Sequence, residues 1–226
     1  MSKRGEKLSE HRAGKRKDRN QRVGTRIPEL GYYLIVTDTE ETEKNYLEGL
    51  RDSLPKELKG RLVIKVEKEE TVNLVEKALE LRSGEPQLRK LWIVFDRDEV
   101  KDFDKIIQEA EKNGVNVGWS NPCFEIWLHA YFGKMPVVQN SPQSVGCYKN
   151  FSKELNKVTK QKYSKNDREI YQKLIEYGDE KKAIEVAKKN YAAHSQNVNN
   201  KPSAMCPACT VYLLVEEIKN KVESPE

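Results

Sequence analysis

Cysteine, long apolar runs and internal repeats are what this chain has least of. It holds 4 cysteines in 226 residues, too few for a disulfide framework at this size, and thiols are expected in a reducing compartment. No apolar stretch approaches the roughly 20 residues that a membrane-spanning helix needs, and mean hydropathy is −0.83. The first residues are basic and lack the apolar core of a secretory signal. A cytoplasmic location without a membrane partner is therefore expected. Cys206-Pro-Ala-Cys209 reads as half a zinc site completed by Cys147 or a histidine, as a redox pair, or as incidental cysteines at a helix start. No second CxxC and no HxxxH follows, which favours the last.

What is present is charge. Charged residues make up 34% and hydrophobic ones 37%, enough apolar material for a real core and one domain plus an appendage. The net charge of +5 is uneven: residues 1–26 hold 10 Lys and Arg against 3 Asp and Glu, and the remainder holds 31 against 33. This basic arm, with Arg16, Lys17, Arg19 and Arg22, has few large apolar residues and is expected to be disordered or weakly helical when free. It suits a polyanion, since each cation on a phosphate releases counterions; otherwise it is a solubilising tail.

Two stretches organise the rest, residues 32–43 (YYLIVTDTEETE) and 91–99 (LWIVFDRDE). Each is an apolar, β-branched run that stops in acid. Unalternated runs of this length read as strands buried on both faces of a parallel sheet. Strands are predicted at 32–36, 61–66, 90–95 and 114–120. Helices are predicted at 42–54 with Thr42 as N-cap, at 71–82 with Val72, Val75 and Leu79 inward, and at 102–112. Strands alternating with helices predict right-handed crossovers and a parallel sheet of about four strands. The acidic ends would then gather at its carboxyl edge, where open α/β folds place their sites. Asp96 and Asp98, two apart in extended chain, would point the same way. Hard oxygen ligands with room for water suit Mg²⁺ or Mn²⁺.

Asn121-Pro122 reads as an N-cap and first helical position, opening an apolar helix in which Glu125 is the exception. Glu125 either compensates the helix dipole or has a partner or metal. His129 lies one turn later as a packing residue or a shared ligand. Residues 148–173 hold 8 Lys and Arg against 3 Asp and Glu. Lys149, Lys153, Lys157 and Lys160 recur at helical spacing, with Tyr148, Phe151, Tyr163 and Tyr171 between them. Such a stripe is either a nucleic-acid surface with stacking aromatics or a solvated helix face with its aromatics in the core. Further helices are predicted at 180–189 and 209–221, joined by a polar, mobile connector at 190–207.

The stretches YLIVTDTEETEKNYLEGL, LWIVFDRDE and WSNPCFEIWLHAYF, in this order, resemble the RloB family of abortive-infection-like phage-defence proteins, over roughly residues 26–215. The resemblance implies a Toprim-type α/β domain at 27–146, a helical C-terminal region at 147–226 packed on it, and the arm at 1–26. It implies metal-dependent hydrolysis of DNA or RNA, with Asp38, Asp96 and Asp98 on Mg²⁺ or Mn²⁺. It also implies Asp38, Glu43, Asp96, Asp98 and Glu125 as the catalytic carboxylates, and an ATPase or other defence-system partner. Toprim proteins carry Glu-Gly where this chain has Asp38-Thr39, a carboxylate one methylene shorter and no glycine. Glu40, Glu41 and Glu43 stand nearby as acids or as solvated first-turn residues; Glu43 keeps the family pattern. The family's histidine falls where this chain has Tyr131. The competing expectation is a nucleic-acid or nucleotide sensor that has lost catalysis.

Overall fold

A computed structural model describes residues 31–67, 70–84, 90–98, 100–136, 143–197 and 201–223. Arg16, Lys17, Arg19 and Arg22 lie outside the described residues. The apolar runs form the strands that their composition predicts: β1 (Tyr33–Thr37), β2 (Leu62–Val66), β3 (Lys90–Asp96) and β4 (Asn116–Asn121). All four are parallel, in the order β2-β1-β3-β4. β1 is buried along its whole length, as a central strand covered on both faces must be.

The helices are α1 (Thr42–Asp52), α2 (Lys56–Lys59), α3 (Leu74–Gly84), α4 (Phe103–Lys112), α5 (Glu125–Ala130), α6 (Gln143–Thr159), α7 (Ile170–Tyr177), α8 (Glu180–Ser195) and α9 (Val211–Glu223). α3 and α4 cover one face, with Leu74, Val75, Ala78, Phe103, Ile106 and Ala110 packed on Leu34, Val36, Ile93 and Phe95. α1 and α5 to α9 cover the other, around Tyr33, Ile35, Trp92 and Val94. The β1–α1–β2 crossover and the two that follow run in opposite directions along the sheet. Right-handedness therefore puts α1 on one face and α3 and α4 on the other. Between the carboxyl ends of β1 and β3 the strand order reverses, which opens the crevice that such sheets use for ligands.

Several details differ from the sequence reading. A fifth strand, β5 (Ala208–Cys209), pairs antiparallel with β4, Ser120 opposite Cys209 and Asn121 opposite Ala208. The last helix therefore starts at Val211, and buried Cys209 is a sheet residue. Cys206 is half-buried and its thiol donates to Gln143 Oε1 at 3.6 Å. Asn121 is no N-cap: it ends β4, and its amide donates to the Pro202 and Ser203 carbonyls at 3.0 and 3.1 Å. Thr42 is the first residue of α1, not its cap, because its hydroxyl is shared with Tyr163 at 3.0 Å. Val72 is exposed in a 3-10 turn (Thr71–Asn73) ahead of α3, and Leu74, Val75 and Ala78 form the buried face.

The expected mobile connector is mostly occupied. α8 continues to Ser195, and Ser203 donates from its N–H and hydroxyl to Asp104 at 2.8 and 2.6 Å. Phe151, Tyr163 and Tyr171 are core residues. Burying such side chains stabilises by about 1.5–3 kcal/mol each, which outweighs any gain from leaving them free to stack.

α7 lies against α1 so closely that a Cβ built on Gly49 overlaps the Cβ and ring of Tyr171. Gly49→Ala is expected to lower unfolding free energy by about 1–3 kcal/mol through overpacking, read as a reduced urea midpoint with unchanged slope.

Candidate active site

The chain leaves β1 at Thr37 and β3 at Asp96, on neighbouring strands in register. Asp38 therefore follows one strand end while Asp96 forms the other. Asp98 reaches the same place by a different route from the one its spacing predicts. It sits in a turn rather than in extended chain, with Arg97 N–H donating to the Ser120 carbonyl at 2.8 Å and Asp98 N–H to the Pro122 carbonyl at 2.9 Å. A cleft of about 670 Å³ is lined by Asp38, Thr71, Asp96, Asp98 and Lys101 among others. Glu43, in the first turn of α1, and Glu125, opening α5, are buried to 4% and 2% exposure behind it. All five predicted carboxylates thus come to one end of the sheet.

Their partners explain how they stay there. The Thr71 hydroxyl donates to Asp38 Oδ2 at 2.8 Å. Phe124 N–H donates to Asp96 Oδ2 at 3.3 Å. The Thr39 hydroxyl donates to Glu43, and the Tyr163 hydroxyl to Glu125 Oε1 at 3.3 Å. Asp38 Oδ1, Thr37 Oγ1 and Ser120 Oγ are buried at this strand edge without a hydrogen-bond partner among the described residues. Buried polar atoms are normally satisfied, so these oxygens mark a place that is polar beyond its internal needs.

The electrostatics are strongly negative. Burial pushes the Asp96 carboxyl well above the usual carboxylate range, and Glu43, Asp38, Glu125 and Asp98 add to it in that order. Glu43 is raised to about 7, first by burial and then by Asp38 and Glu125, against the Thr39 hydrogen bond. Asp38 is raised by burial, against the Thr71 hydrogen bond. Lys165 faces this group: partial burial disfavours its charge, yet Glu125, Glu43, Asp96 and Cys123 together hold its pKa above the usual lysine value.

Chemically, the donor set fits a hard divalent cation: carboxylates without enough cationic compensation, one of them with an unpartnered buried oxygen. Among the described residues, however, no group of three or more His, Cys, Asp or Glu side chains is arranged as a set that could hold a metal ion. The acids are near enough to repel and not drawn together. His129 stands apart, its pKa lowered to about 4 chiefly by burial, its ring 6.4 and 6.3 Å from Phe132 and Phe151. Tyr131 shares a hydrogen bond with Tyr46 at 2.8 Å inside the core. Lys149, Lys153 and Lys157 are exposed on α6, and Lys160 is exposed just beyond it.

Thr71, Tyr163 and Lys165 were not legible as site residues. Thr71 reads as the start of a helix, and Tyr163 and Lys165 lie in a charged stretch that joins the site only by folding back.

A carboxyl raised on folding makes the folded state bind more protons than the unfolded one. With Glu43 moved from 4.5 to about 7, its contribution to stability is expected to fall as pH rises through that window and to be gone above it. Thermal melts in EDTA should register a loss of about 1–3 kcal/mol between those limits. Glu43→Gln should flatten the profile, and added Mg²⁺ should offset the loss at the high-pH end.

A family model described as RloB-like protein matches residues 33–218, and the chain belongs to that family. No curated protein and no solved structure matches it. Among the described residues no helix is long and apolar enough to cross a membrane.

Proposed function

We propose that this member of the RloB-like family hydrolyses phosphodiester bonds of DNA or RNA in phage defence, with Mg²⁺ or Mn²⁺ held by Asp38, Asp96 and Asp98. One observation carries the reading: Asp38 from the end of β1 and Asp96 and Asp98 from the end of β3 line one cleft, and Asp38 Oδ1 is buried there with no hydrogen-bond partner among the described residues, a concentration of acid that marks functional sites. When bound, such an ion would offset charge on the phosphoryl oxygens and lower the pKa of an attacking water.

The remaining work falls to the chain itself. Glu43, held by the Thr39 hydroxyl in the first turn of α1, is the carboxylate that would accept the proton of the attacking water. The Phe124 N–H fixes Asp96 Oδ2, and Tyr163, held by Thr42, fixes Glu125. The arm at 1–26 and the lysines of α6 supply affinity. The α/β unit at 27–146 supplies the acids, and the helical region at 147–226 supplies much of the surface.

A second reading, a nucleic-acid or nucleotide sensor in a defence complex, is favoured by the lack of a metal-holding set among the described residues and by Asp38-Thr39 in place of Glu-Gly. Cleavage assays on DNA and RNA separate the two. Wild type should cut with Mg²⁺ or Mn²⁺ and stop in EDTA. Asp96→Asn should lose at least about a hundredfold in rate while melting higher, because it removes a buried, repelled charge. Binding with no cutting under any metal supports the sensor.

The lysines make a separate expectation. Replacing Lys149, Lys153 and Lys157 with Gln should weaken binding of all sequences alike. It should also reduce the slope of log affinity against log salt by about 0.7–0.9 for each phosphate that a lysine no longer neutralises.

A further inference from the structure

Asp98 lines both the acidic cleft and a second lobe of about 500 Å³, the latter lined also by Glu125, Tyr148, Ser164, Lys165 and Asn166 among others. We infer that this lobe takes one unpaired nucleobase beside the phosphate held at the acids, so that the substrate is a single strand or a site whose base can leave its stack. The inference rests on the reading above in placing the phosphate at the cleft.

Its walls come from α6 and from the loop behind it. Tyr148 donates from its hydroxyl to the Tyr163 carbonyl at 3.1 Å, which ties the helix to the loop. Asn45 of α1 donates to the Lys165 carbonyl at 3.2 Å, which ties the loop to the body of the fold. The lobe is thus built by long-range bonds on regular elements. Its volume suits a nucleoside rather than a duplex, and pockets of this size usually combine an apolar wall with a few polar groups. Tyr148 supplies an aromatic wall. Ser164 and Asn166 supply neutral hydrogen-bonding groups.

Charge decides which part of a nucleotide enters. Glu125, Asp98 and Glu41 border the lobe, so a second phosphate would meet like charge there. A neutral base with exocyclic amines meets acceptors instead. Lys165 lines the lobe together with Glu125 and Asp98, where its ammonium can reach the connecting phosphate or sugar. A base inside a duplex is stacked and paired and cannot fill such a lobe without being flipped out.

The test is fluorescence anisotropy with short labelled DNA and RNA strands and the corresponding duplexes, in Ca²⁺ so that binding is read without turnover. Wild type is expected to bind one kind of strand about tenfold or more tighter than its duplex. Tyr148→Ala and Lys165→Ala should each lower strand affinity several-fold and leave duplex affinity unchanged. Lys165 is exposed, so its variant keeps the test valid if Tyr148→Ala fails to fold. Equal affinity for strand and duplex, no binding to either, or strand binding untouched by Lys165→Ala overturns the inference. Cleavage is scored separately. Strand binding without cutting removes the hydrolase reading and keeps the lobe, whereas duplex cutting unaffected by Lys165→Ala removes the lobe and keeps the hydrolase.

Discussion

Mutual repulsion among carboxylates at the carboxyl edge of the sheet is the constraint around which this fold is arranged. Asp96 sits half-buried at the end of a buried strand, and four other acids act on it. Left to themselves these groups would spread apart or take up protons. The fold opposes the first with a set of short local ties: Thr71 on Asp38, Phe124 N–H on Asp96, Thr39 on Glu43 and Tyr163 on Glu125. It allows the second: burial first, and then Asp38 and Glu125, raise Glu43 to about 7.

Those ties come from elements that serve mainly as packing. α5 is almost wholly buried, with Trp127 and Tyr131 edge-on to each other and to Tyr46 of α1. That aromatic cluster holds the segment carrying Phe124 N–H and Glu125 against the sheet. Tyr163 belongs to the same core, with its ring 4.7 Å from Phe151 and its hydroxyl turned to Thr42 and Glu125. Aromatic side chains with one polar end suit this position, since the ring gains from burial while the hydroxyl reaches the acids. The helices after residue 143 are therefore part of the site's support as well as its outer wall.

A second polar network lies on the same side of the sheet. Tyr131 and Tyr171 both donate to Glu180 Oε1, at 3.2 and 2.9 Å, and Lys219 pairs with Glu180 at 3.1 Å. Here the charge is balanced and the hydrogen bonds close on one another. Where this chain buries an acid for structure it supplies a cation beside it; at the sheet edge it buries several and supplies mainly hydroxyls, one amide and the more distant Lys165.

The strands at 33–37 and 90–96, their acidic ends, the alternation that makes the sheet parallel and the membership of α5 in the core were all written in the sequence. Each depends on a short apolar period or on one residue following another, and local chain geometry is enough to read them. Folding decided what depends on distant partners. β5 is two residues long and exists because β4 has an open edge. Asn121 is drawn from helix capping by the Pro202 and Ser203 carbonyls. Asp98 reaches the cleft through a turn, not through strand alternation. Tyr163 and Lys165 join the acids because the loop after α6 is pulled back over α1. Periodicity places a side chain on a face of its own element, but which element that face then meets is settled by burial and hydrogen bonding across the whole chain.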